Sequence, residues 1–177
     1  MNKAKVLWTP SPYKAGFCIT DDTDGIDFNR RKILYDYLRS INLYTSMNVW
    51  LFNATEPSGI PHVILDKSDT LENKEYFSYC QTLSKEGFEI CLHGASSGNN
   101  KREKTIKALE TMHEFFDGAK TYIGHSKNAE NIYWEENVAT TPFLKLLLKI
   151  YSRHKAFGEK ENSEYFWGDY CQKYINQ

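Results

Sequence analysis

Two adjacent carboxylates, Asp21 and Asp22, close the apolar run Ala15-Gly16-Phe17-Cys18-Ile19-Thr20 and lead into Thr23-Asp24-Gly25. A short apolar run that ends in acids and a glycine predicts a strand delivering its last side chains to a loop. Carboxylates held side by side repel, so the fold must offset that cost with a cation, a shared proton or solvent. A metal ion is a common solution in α/β enzymes: one Asp ligates and the other is free to act as a base. For an isolated Asp pair a solvated turn is the plainer explanation, and the rest of the chain has to decide.

The pattern that follows alternates strand, helix, strand, helix. The first strand is expected over Ala15 to Thr20. Helical spacing of Ile33, Leu34, Tyr37, Leu38 and Ile41 predicts a helix from Phe28 to Ile41 with those residues on its buried face. Tyr44 to Phe52 predicts a second strand, with Met47, Val49 and Leu51 alternating against Asn48 and Trp50. Asn53 to Asp69, with Pro57, Gly59 and Pro61, predicts a long loop. A second helix is expected from Leu71 to Lys85, capped by Gly87. Phe88 to Leu92 predicts a third strand ending at His93-Gly94. A third helix is expected after it, opened by a capping box of Asn100 and Glu103 and burying Ile106, Leu109, Met112 or His113, and Phe116. Lys120 to Gly124 predicts a fourth strand ending at His125-Ser126. Pro142 in a first-turn position predicts a last helix with Phe143, Leu146, Leu147 and Ile150 on its apolar face. The tail from Ser152, with Tyr165-Phe166-Trp167, carries no clear periodicity.

Alternation of this kind predicts a parallel sheet or a barrel, where chemistry gathers at the carboxyl ends of the strands. Three strands are predicted to end in metal-type residues: Asp21-Asp22, His93 and His125. A lone histidine is more often structural or a surface residue, but acids and two histidines at one rim point to a site. The bulk numbers agree with a single domain over 1–177: 177 residues, 41% of them hydrophobic, are enough for one core. A net charge of -1, with Lys and Arg scattered, leaves no basic footprint for nucleic acid. Cys18, Cys80, Cys91 and Cys171 form no Cys-x-x-Cys pair, and Cys18 and Cys91 are expected to be small buried residues. Met1 to Pro10 holds no apolar stretch of signal-peptide length, and Phe143 to Tyr151 is interrupted by Lys145 and Lys149. A cytoplasmic protein without a membrane span is the expectation. The abundant aromatic residues are expected mainly in the core, although sugar sites use the same rings. The oligomeric state is not encoded in any of these patterns.

The order and spacing of these pieces resemble the polysaccharide deacetylase family, the NodB-homology domain, over about Phe17 to His125. That family opens with Thr-Phe-Asp-Asp-Gly-Pro, where this chain has Ile19-Thr20-Asp21-Asp22-Thr23-Asp24. Its second strand is similar to Tyr44 to Phe52. Its Glu-Gly-His-Glu-Ile-Gly-Asn-His segment is matched here by Glu86-Gly87-Phe88-Glu89-Ile90-Cys91-Leu92-His93. The resemblance implies a distorted (β/α) barrel, here shortened or incomplete, and metal-dependent removal of an acyl group from an amino sugar or saccharide. It implies Asp21 as general base, and Asp22 and His93 as ligands of a divalent ion, zinc by expectation.

The chain departs from the family at several positions. Thr23 and Asp24 replace the glycine and proline, and Ser97 stands where the second metal histidine is expected. Gly124-His125-Ser126 takes the place of an Arg-x-Pro-Tyr segment, and no Leu-x-His motif follows. His125, at the end of the next strand, is the candidate for the missing ligand, completing a two-His, one-Asp set. Asp24, His62 and His154 are weak candidates for the acid that protonates the leaving amine. With no signal peptide in view, a soluble or lipid-linked amino-sugar precursor fits better than an extracellular polymer.

Two other readings remain open. Asp22-Thr23-Asp24-Gly25 after a strand resembles the nucleophile loop of haloacid dehalogenase-type phosphatases, with Ser96 as a possible partner but no late Asp-Asp pair. The missing family residues also fit an inactive barrel that binds a saccharide or a partner protein.

Overall fold

The computed structural model describes residues 12, 16–56, 68–116, 120–126, 128–132, 139–151 and 156–175. Eight elements follow one another: β1 (Thr20–Asp21), α1 (Phe28–Ser40), β2 (Ser46–Trp50), α2 (Lys74–Glu86), β3 (Glu89–Gly94), α3 (Arg102–Phe115), α4 (Pro142–Tyr151) and α5 (Gly168–Tyr174). The strands form a parallel sheet in the order β1-β2-β3, with Thr20 opposite Ser46 and Met47 opposite Ile90. The chain after α3 returns beside β3: Tyr122 bridges Leu92 in parallel, and Ile123 N donates to Leu92 O at 3.1 Å. The sheet thus grows in sequence order, helix by helix, and its carboxyl ends share one rim. Barrel closure is not seen among the described residues.

β2 is the central strand, and both its faces are covered: Met47, Asn48, Val49 and Trp50 are all buried. A half-solvated alternating strand is therefore not what forms, because parallel sheets are clothed on both sides. Tyr35, Tyr76, Leu83, Phe88, Ile90, Leu109, Met112 and Phe116 fill the main core. β1 starts later than Ala15, which lies outside the described residues, and it carries the ladder into Asp21. Phe17 is 87% exposed and Cys18 is exposed rather than buried, because β1 is the sheet's edge among the described residues. Cys91 is buried as expected.

α1 covers the expected segment but turns a different face inward. Arg31 and Tyr35 are buried and Leu38 packs on the core, a stripe of helical spacing, while Ile33, Tyr37 and Ile41 are exposed. The polar demands of the acidic loop above select that face, as the site geometry shows below. α2 begins only at Lys74 because Leu71 N donates to Trp50 O at 2.9 Å and Thr70 bridges Trp50, holding that stretch extended. Asn73 then caps the helix, accepting from Glu75 N and Tyr76 N. α3 lacks the expected capping box because the Asn100 side chain is engaged elsewhere, and its first residue follows Lys101, which makes no side-chain cap. It buries Met112 and leaves His113 exposed.

α4 starts where Pro142 predicted, with Leu144 N donating to Thr141 Oγ1, yet it buries none of its residues. α5 arises from the tail and is tied to α3 by paired bonds from Arg102 to Asp169 at 2.8 and 2.7 Å. No helix among the described residues is long and apolar enough to cross a membrane. His62, His154, Met1 to Pro10 and most of the loop between Asn53 and Asp69 lie outside the described residues.

Gly87 ends α2 at φ 107°, a left-handed conformation that favours glycine. A Cβ there would only touch the Tyr44 ring at 3.6 Å, an ordinary contact, so the cost of a side chain is backbone strain. Gly87→Ala is expected to lower unfolding stability by about 1 kcal/mol in urea titration.

Candidate metal centre

The acidic loop after β1 is held from below. Arg31, 2% exposed, donates through Nη2 to Thr23 O at 2.6 Å and Ile26 O at 3.1 Å, and through Nη1 to the Tyr76 hydroxyl. Asn48 Nδ2 donates to Asp21 O at 2.8 Å. Successive residues of a strand point to opposite faces. Asp21 accordingly turns to α1, where Tyr35 OH donates to its Oδ2 at 3.0 Å. Burial raises the pKa of Asp21, against the lowering effects of the Tyr35 hydrogen bond and the Arg31 charge.

Asp22 and Asp24 meet the histidines instead. His93 Nε2 lies 3.1 Å from Asp22 Oδ1 and 3.3 Å from Asp24 Oδ1. One donor atom from each of Asp22, Asp24 and His93 lies within 4.8 Å of the others. The other ring nitrogen, His93 Nδ1, sits 2.8 Å from Ile123 O, which can only accept. That carbonyl fixes the tautomer with Nδ1 protonated and leaves Nε2 to face two carboxylate oxygens. His93 Nε2 and Asp24 Oδ1 are both buried without a hydrogen-bond partner. Buried polar atoms of this kind ask for a proton or a cation. Two carboxylate oxygens and an imidazole nitrogen, with Asp22 largely exposed on the open side, form a group that could hold a metal ion.

His125 stands one step back. Its Nε2 is 3.2 Å from Asp24 Oδ2, the oxygen that faces away from His93. The expected ligands Asp22 and His93 are thus brought together, His125 reaches the group through Asp24, and Asp21 faces α1. The sequence offers Asp24 as an acid candidate, not as a ligand. Its Asp-x-Asp spacing from Asp22 was the available signal, since residues two apart in an extended segment share a side.

Burial opposes ionisation of Asp24, but the hydrogen bond from His125 and the two imidazoles beside it outweigh that and hold the carboxyl well below the usual range. Burial likewise lowers the pKa of His125, yet its hydrogen bond to Asp24 and the Asp24 charge prevail and raise it. Trp50 walls the site, its ring 4.3 Å from His93 and 5.3 Å from His125, centroid to centroid. Gly94 follows His93 at φ 147°, where a Cβ would fall 2.9 Å from the Trp50 ring, so the indole leaves no room for a side chain. Ser96, the residue the phosphatase reading needs, is buried and spends its hydroxyl on Asn100 Oδ1 and on Lys104.

Comparison with protein-family models, curated proteins and solved structures finds no match to this chain.

Arg31→Met leaves Thr23 O and Ile26 O without their buried donor and is expected to cost about 2–4 kcal/mol in urea unfolding. The metal-free protein also has a predicted pH window. Asp24, held low, contributes stability above its unfolded pKa of about 3.9 that is lost as the pH falls. His125, held high, contributes stability below about 6.5 that is lost as the pH rises through its folded value. The stability that the Asp24–His125 pair contributes should therefore be greatest between about pH 4 and 6.5, read as the difference in urea midpoint in chelator between wild type and His125→Gln across pH.

Proposed function

We propose that this chain is a metal-dependent hydrolase that removes an N-acyl group, acetyl by expectation, from an amino sugar, on a shortened (β/α) barrel of the polysaccharide-deacetylase type. The observation that carries the reading is the buried, unpartnered His93 Nε2 aimed at Asp22 and Asp24. The sequence-ordered parallel sheet, which shows no doubly wound reversal among the described residues, supports the barrel type.

Asp22, Asp24 and His93 are the residues that would hold the ion. The chemistry a divalent cation supplies in such a site is Lewis-acid: a lower pKa for water and a polarised carbonyl. Asp21 would take the proton of the attacking water in this reading, although its carboxylate here is turned to Tyr35 on the α1 side. Trp50 and the buried loop after His93 exclude water from the inner side of the site. The exposed Asp22 leaves the outer side open to a sugar.

The phosphatase alternative is weaker. Its general acid would be Asp24, and Asp24 is engaged by both histidines. An inactive saccharide-binding barrel is the reading that remains if no ion is bound.

The test is elemental analysis of the purified protein, followed by deacetylation assays on N-acetyl amino sugars. About one zinc or similar ion per chain is expected in the wild type, with loss in Asp22→Ala and His93→Ala. Asp21→Asn should keep the metal and lose most activity; full activity in that variant would place the base elsewhere. No metal in the wild type after exposure to zinc, cobalt or manganese overturns the hydrolase reading.

A further inference from the structure

A buried chain of hydrogen bonds runs from the interior to the far oxygen of Asp24. Glu130, 1% exposed, accepts from Asn128 Nδ2 at 3.1 Å through Oε1. The same amide nitrogen donates to Gly98 O at 2.9 Å and Ser96 O at 3.3 Å. With three acceptors around Nδ2, the Asn128 amide has one orientation, and its Oδ1 faces His125 Nδ1 at 3.3 Å. The His125 ring is thereby directed so that Nε2 meets Asp24 Oδ2 at 3.2 Å. Asp24 presents its other oxygen, Oδ1, to His93 and the ligand group.

Glu130 is itself anchored. Asn100 donates to it from its backbone N at 3.0 Å and from Nδ2 at 2.6 Å, and Trp167 Nε1 donates to its carbonyl at 2.6 Å. Asn100, Asn128 and Glu130 are all buried. A stabilising network had no need to end on a ring that touches a candidate ligand, and this one does.

We propose that Asn128, aligned by Glu130, is a positioning residue that acts through His125 to aim Asp24 at the bound ion. The inference rests on the metal reading of Asp22, Asp24 and His93 given above and assigns His125 to holding a ligand rather than being one. Outer partners of metal ligands of this kind set affinity by orienting the donor, and their removal typically weakens metal binding about 10–100-fold.

The test is cobalt titration of the metal-free full chain, following visible absorption and affinity together. Asn128→Leu and His125→Gln should each weaken cobalt about tenfold or more, with one ion still bound and the band shape retained, since the ligand set is intact. The double variant should be no weaker than the worse single, because both substitutions break one chain. Asn128→Ser, too short to reach His125, replaces the leucine variant if that one does not fold and carries the same expectation. Additive losses, an unchanged affinity in Asn128→Leu or Asn128→Ser, or a band altered by His125→Gln alone would overturn the proposal while the metal site stands. A wild type that binds no cobalt would instead overturn the site on which it rests.

Discussion

Arg31 lies under the acidic loop, with its guanidinium bonded to Thr23 O, Ile26 O and the Tyr76 hydroxyl and its charge beside Asp21. Three aspartates within four residues repel one another, and a buried cation beneath them is what allows the loop to close. The guanidinium also lies over the Tyr76 ring at 5.0 Å, so one side chain joins α1, α2 and the loop. The requirement reaches into the fold. With Arg31 and Tyr35 committed to the loop, α1 can only turn that stripe inward, and Ile33 and Tyr37 are left to solvent.

The opposite wall of the site is built from loops rather than elements. The turn after β3 and the residues around Glu130 are joined through Asn100, Asn128 and Glu130, all buried. Burial pushes the pKa of Glu130 up, and the hydrogen bonds from Asn100 and Asn128 oppose it. Such a network stabilises only when each member is satisfied, and here it also directs the His125 ring. Trp50 lies between the two walls and touches both histidines. The site therefore has an acid loop held by a cation on one side and a histidine face held by buried amides on the other. The electrostatics of one wall are completed by the other, which is why His93 Nε2 and Asp24 Oδ1 meet without a proton donor between them.

Much of the framework was legible in the chain. Hydrophobic periodicity placed α1, α2 and α3 within a few residues, and Gly87 and Pro142 marked helix ends for backbone reasons that hold in any context. The convergence of Asp22 and His93 followed from one argument, that parallel strands deliver their last residues to the same rim. The inward face of α1 was not legible, because a helical pattern that favours Ile33 and Tyr37 carries no term for a polar loop above it. Neither was the capping failure of Asn100, whose side chain is taken by Glu130, a partner 30 residues away.

The sequence by itself determined the alternation of strands and helices, the placing of acids and histidines at strand ends, and the absence of a long apolar span, since each depends on local spacing. Tertiary structure decided which oxygen meets which nitrogen: Asp24 rather than His125 beside Asp22 and His93, Asp21 turned to Tyr35, and His125 set behind Asp24. Those choices depend on distances of about 3 Å between residues far apart in the chain, where hydrogen bonds gain or lose most of their strength. No local pattern encodes them.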